Sequence, residues 1–130
     1  MLAAEVLVLG GPEPLSNQIN KERINDTAKL IMHRLIAREL GRDPSLVERV
    51  KDSLSRTSER YEGYSFVLEW SKLLEMSVPE LRHRLTSRDE NMTRLRLSSP
   101  FVLVVNLKDE ALRRRIWKAA KRIAAIHPEH

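Results

Sequence analysis

Over most of this chain the apolar residues recur at intervals of three and four, the spacing that places side chains on one face of an α-helix. Ile24, Ala28, Ile31 and Leu35 make a first stripe, Leu46, Val50 and Leu54 a second, Phe66, Val67, Trp70, Leu73 and Leu74 a third, and Leu112, Ile116, Ala119, Ala120 and Ile123 a last. Gly41, Gly63 and Pro100 fall between stripes, where a helix can end. A chain patterned in this way has to bury helix faces against one another. At 130 residues it has the length of one domain.

The local signals give boundaries. Asn20 as an N-cap and Gly41 as a stop predict a helix over about 20–40, and Asp43 followed by Pro44 opens a second over about 44–60. A third spans 65–75. Ser77 with Glu80 and Ser87 with Glu90 each read as a capping box, so short helices are predicted to begin near Val78 and Arg88, burying Leu81 with Leu85 and Met92 with Leu95. Ser98-Ser99-Pro100 closes the helical run, and Asn106 with Asp109 caps a last helix over 108–126. Two stretches read differently. Residues 1–19 begin with the apolar LAAEVLVL and then meet Gly10, Gly11, Pro12 and Pro14, an arm or short strand. Phe101 to Val105 is β-branched enough for a short buried strand that pairs with residues 5–9. The expected fold is a mainly α, single-domain bundle of five to six helices with at most one two-stranded β ribbon.

Charge is unevenly distributed. Residues 1–79 hold eleven Lys and Arg against twelve Asp and Glu, whereas residues 80–130 hold twelve against six, so the net +5 belongs to the last two fifths of the chain. A basic half attracts phosphate backbones or an acidic protein, and otherwise forms a solvated face. With Leu112 at the centre of its buried face, the last helix puts Arg114, Lys118 and Lys121 on the opposite side, flanked by Arg113 and Trp117. Cations beside an aromatic ring suit phosphates and a stacked base. Residues 66–85 can also be read as a helix-turn-helix whose second helix offers Arg82, Arg84 and, beyond it, Arg88 to DNA, although Glu75 occupies the turn where glycine is usual. A plain helical hairpin accounts for the same residues.

Signals for catalysis are weaker. Gly10-Gly11 lacks the pattern of a phosphate loop, and the four histidines have no helix-face ligand partner beyond Glu80, three residues before His83, and Glu129 in the tail, so neither a cofactor nor a metal is expected. Arg122 and His127 match the loose Arg-x4-His pattern of a helical family of prokaryotic RNases, in which such a pair would stabilise phosphorane-like charge and shuttle a proton. The absence of cysteine excludes disulfides and a thiol nucleophile. No apolar run approaches a membrane span, and no secretory signal is read at the start, so a cytoplasmic location is expected.

Four segments carry a resemblance: Met32-His33-Arg34-Leu35-Ile36-Ala37, Asp43-Pro44-Ser45-Leu46, Glu69-Trp70-x-x-Leu73-Leu74 and, above all, Leu95-Arg96-Leu97-Ser98-Ser99-Pro100-Phe101. Across residues 21–107 the chain resembles a group of small, uncharacterised bacterial proteins with an LRxSSPF-type motif, companions of toxin–antitoxin or mobile-element operons. The resemblance implies a protein or DNA partner and no set activity. The reading from the residues alone makes Ser98-Ser99-Pro100-Phe101 a helix stop anchored by Phe101. Together these point to a non-enzymatic, antitoxin-like regulatory module that binds a partner protein, and DNA through its basic half. The RNase is the alternative, and homo-oligomerisation through an exposed apolar face, with Trp70 or Trp117 as candidates, is left open.

Overall fold

The computed structural model describes the backbone of residues 15–60, 63–105 and 109–126. Its elements are α1 (Leu15–Arg42), α2 (Leu46–Arg60), α3 (Ser65–Leu74), α4 (Val78–Leu85), α5 (Glu90–Leu95), a 3-10 turn (Arg96–Ser98), α6 (Phe101–Val104) and α7 (Glu110–Ile126). The described residues are mainly helical and contain no strand. Phe101 to Val104 forms a helical turn, which overturns the strand expected there. Pro100, already in helical geometry, leads into that turn, and its backbone bonds close locally. The proposed pairing segment, 5–9, lies outside the described residues.

Helix α1, about 42 Å long at 1.5 Å per residue, organises the rest through two separate stripes. Ala28, with Ile24, Ile31, Met32 and Leu35, packs against Leu112, Ile116 and Ala120 of α7. Ile36 and Leu40 instead enter the main core, where they meet Leu46, Val50, Leu54, Val67, Trp70, Leu73, Leu74, Leu81, Leu85, Met92, Leu95 and Phe101. The helix begins at Leu15 rather than Asn20, so residues 15–19 are helical and not part of an arm. It also runs through Gly41 to Arg42. Gly41 is therefore no stop; a Cβ there would stand 2.9 Å from Arg82 Cζ, and the glycine admits that guanidinium against the helix.

The hairpins follow from their caps. Asp43 Oδ1 accepts from the Ser45 amide, and the turn through Pro44 delivers the chain to α2 at Leu46, two residues later than the proline suggested. Gly63 takes φ +86°, a left-handed turn residue before α3 that a side chain would strain. Ser77 and Glu80 form the predicted capping box of α4. The second box does not form. Asp89 caps α5 by accepting from the Met92 amide at 2.8 Å, while the Ser87 hydroxyl bonds to the Asp89 carboxylate, so the helix starts at Glu90 and not near Arg88. Asp109 caps α7 in the same manner through Ala111, so the helix starts at Glu110 rather than 108; Asn106, read as part of that cap, lies outside the described residues.

The Leu95–Phe101 segment ties these helices together. Trp70 is fully buried, which removes it as an exposed apolar contact; its indole N–H donates to the Leu95 carbonyl at 3.2 Å and its ring lies 6.0 Å from that of Phe101. Ser99 reaches across to α1. His33, with no exposed surface, donates from Nδ1 to the Lys29 carbonyl at 2.7 Å, so Nε2 is left to accept from the Ser99 hydroxyl, also at 2.7 Å. The same Ser99 oxygen accepts from the Phe101 amide. Helix stop and core anchor are thus one hydrogen-bonded unit, as the residue reading of Ser98-Ser99-Pro100-Phe101 anticipated.

Burial, with Arg96 and Lys29 nearby, pushes the His33 pKa down from 6.5 to about 4. Between those values the unfolded chain binds a proton that the folded one does not, so stability falls as pH drops through this window. The depression corresponds to about 3 kcal/mol. Urea unfolding at pH 7.5 and pH 4.5 should show the native chain losing about 2–3 kcal/mol more than His33→Gln does over the same interval. An equal loss in both would place the acid sensitivity elsewhere.

Candidate anion-binding surfaces

The arginines singled out in the sequence divide into those held by the fold and those left open. Arg82 is held: its Nε donates to the Ala37 carbonyl at 2.8 Å, across the α1–α4 contact that Gly41 makes close. Arg84 is held as well, 2.8 Å from Asp89. The Asp89 carboxyl, accepting from the Met92 amide, the Ser87 hydroxyl and Arg84, is lowered to about 2. A recognition helix needs its basic side chains free to reach base edges. Here α4 spends Arg82 and Arg84 on α1 and on the α5 cap, which favours the plain hairpin over the helix-turn-helix.

Arg88 is different. It is exposed and makes no ion pair or hydrogen bond with another described residue. On α7, Arg114, Lys118 and Lys121 are likewise exposed and unpaired among the described residues, and Arg113 has only the loose Glu110 contact at 3.8 Å between two solvent-exposed side chains. Such a contact contributes little and constrains little. Trp117, 43% exposed, stands beside these cations rather than under a neighbouring helix. From Glu110 to Ile126 the helix carries six cations and one carboxylate, a net charge equal to that of the whole chain. Arg122 is exposed on the same helix, and His127 lies outside the described residues.

Several polar residues that pattern reading passed over prove central. Arg96 is 2% exposed; its Nη1 donates to the Leu85 and Ser87 carbonyls at 3.2 and 2.6 Å, and its Nη2 to Thr93. It thereby caps the end of α4 and ties the following loop to α5. Arg96 and His33 carried a usable signal in their register: Arg96 sits four residues after Met92, and His33 precedes Ile36, Ala37 and Leu40 at helical spacing, each on an otherwise apolar stripe.

Arg96 also borders a cavity of about 520 Å³ between α1, α5 and α7. Arg34 and Arg88 line its rim, Leu30, Ile123 and Ala124 give it an apolar wall, and Glu22 with Asp26 stand on the α1 side. Burial and the neighbouring Glu22 raise the Asp26 pKa. Beyond Arg34, a shallower groove is lined by Arg38, Arg82 and His83 without a carboxylate. Among the described residues no group of histidines and carboxylates is arranged to hold a metal, and no helix is long and apolar enough to cross a membrane.

Replacing Arg96 by Met should destabilise the chain by about 1–3 kcal/mol or more in urea unfolding, because the Leu85 and Ser87 carbonyls lose their buried donor. Arg88→Gln should stay within about 0.5 kcal/mol of the parent. Similar losses in the two would contradict the division between held and open arginines.

No family model, curated protein or solved structure matches the chain.

Proposed function

We propose that this chain is a non-enzymatic binding module that takes nucleic acid on the outer face of α7, in keeping with an antitoxin-like regulatory role alongside a partner protein. The observation that carries this reading is the pairing state of the α7 cations. Arg114, Lys118 and Lys121 are unpaired among the described residues and Trp117 is half exposed next to them. Unpaired cations release little internal energy when they turn to a phosphate, and each phosphate contact releases condensed counterions. The exposed ring offers a face to a base, an interaction that single strands can use. Helix α7 can present this surface because the Ala28, Ile116 and Ala120 seam holds it on α1 by its opposite side.

Fluorescence anisotropy with a labelled single-stranded RNA and a duplex DNA, across a salt series, tests this. Binding should weaken steeply as salt rises and be lost in Lys118→Glu/Lys121→Glu. Trp117→Ala should weaken the single strand by about tenfold, in line with roughly 1–3 kcal/mol per stacked base, and leave the duplex nearly unchanged. Absence of binding at low salt would overturn the reading and leave an acidic protein as the ligand of the basic face.

A further inference from the structure

The cavity between α1, α5 and α7 brings together four guanidiniums, those of Arg23, Arg34, Arg88 and Arg96, with the carboxylates of Glu22 and Asp26 on the α1 side. Arg34 and Arg88 line it without an ion pair or hydrogen bond to another described residue. Arg96, almost wholly buried at the same cavity, has its Nη atoms engaged with protein oxygens, while its Nε lacks a hydrogen-bond partner. A buried donor in this state is uncommon in folded proteins and calls for an explanation. Burial is the main cause that disfavours the charge on Arg96, and Arg34 adds a smaller unfavourable contribution. Asp26 and Asp89 relieve this from a distance, but neither forms an ion pair with Arg96.

The remainder of the lining narrows the chemistry. Leu30, Ile123 and Ala124 supply the apolar part of the lining. About 520 Å³ lies within the range of sites that hold small organic ligands, roughly 300–1,000 Å³. A bare inorganic anion would leave that apolar part unused. Asp26, on the α1 side, offers an acceptor to an N–H or O–H donor on the ligand body.

We infer that this cavity binds a phosphomonoester carrying a flat or apolar body, of the size of a nucleoside monophosphate, with its phosphate between Arg34, Arg88 and Arg96 and its body against Leu30 and Ile123. Arginine suits this role because its planar donors match phosphate oxygens in pairs. The site is separate from the outer face of α7: it uses the inner edge of that helix, and its existence does not depend on nucleic acid binding there. A phosphomonoester can come from a free nucleotide or from the 5′ end of a strand, and the two sources are separable by experiment.

Isothermal titration calorimetry at low salt would be run with AMP, GMP and UMP, with inorganic phosphate and adenosine, and with a short RNA bearing either a 5′-phosphate or a 5′-hydroxyl. At least one nucleotide should bind, adenosine should not, and inorganic phosphate should bind at least tenfold more weakly than that nucleotide. Arg34→Gln and Arg88→Gln, both surface substitutions, should each weaken binding about tenfold or more, as expected for charge-assisted hydrogen bonds. Lys118→Glu/Lys121→Glu should leave it within about twofold, which separates this site from the α7 face. Discrimination for the 5′-phosphorylated strand that exceeds the nucleotide response would assign the site to strand ends. Absence of binding by every phosphomonoester, or binding indifferent to Arg34 and Arg88, would overturn the proposal, and inorganic phosphate binding as tightly as the nucleotides would remove the role of the apolar wall.

Discussion

The hydrogen bond from Ser99 to the buried imidazole of His33 is the contact on which the remaining geometry depends. Breaking it would leave a ring nitrogen without a partner at the centre of α1 and release the loop that positions Phe101. Because the Lys29 carbonyl occupies Nδ1, the ring can serve this position only as one neutral tautomer. A protonated ring would place two donors against Ser99 and Lys29 in a site from which water is excluded, next to a buried guanidinium. The Leu95–Phe101 segment is thus better understood as a joint than as a binding loop. Leu95 and Phe101 fill the core, Arg96 closes the end of α4, Ser98 and Leu95 meet the Trp70 N–H, and Ser99 reaches α1. Leu97 alone faces outward.

A joint of this kind fixes how much surface α1 has left for α7. Ile36 and Leu40, near the end of α1, are committed to the main core, so α7 packs on the preceding stretch from Ile24 to Leu35, where Ala28 and Ala120 permit close approach. A helix attached by one narrow seam keeps most of its circumference in solvent. Charge can therefore accumulate on it at small cost to folding, whereas the same cations on α4 are drawn into contacts with α1 and the α5 cap. The cavity arises at the meeting of these constraints, where the edge of α7 passes the α5 end of the joint and the gap is wider than side chains fill.

Much of the helical order was legible in the sequence because it is encoded locally. The Ser77–Glu80 box and the buried pairs Leu81–Leu85 and Met92–Leu95 stand where spacing put them. What was not legible depends on contacts distant in sequence. Gly41 looks like a stop until the Arg82 guanidinium, forty-one residues later, is seen to lie 2.9 Å from where its Cβ would stand. Phe101 to Val104 has strand-like composition, yet a helical turn brings Phe101 to Trp70 in a way that an extended segment would not. Ser87 loses its capping role because Asp89, two residues on, supplies a charged acceptor to the same helix.

The candidate sites show the same division. Composition located the excess of positive charge but gave every arginine equal weight, since an unpaired guanidinium and one clamped to carbonyls are the same letter. Helical register separates them in part: Arg96 and His33 interrupt apolar stripes, and a polar group at such a position must either find partners inside or signal a ligand. His33 finds both of its partners. Arg96 finds partners for its Nη atoms and none for Nε, and the cavity it borders also has Arg34 and Arg88 on its lining. The two residues therefore represent two outcomes of burying polarity in one small core: His33 has both ring nitrogens satisfied inside, whereas Arg96 closes the end of α4 with its Nη atoms and keeps a buried Nε without a hydrogen-bond partner.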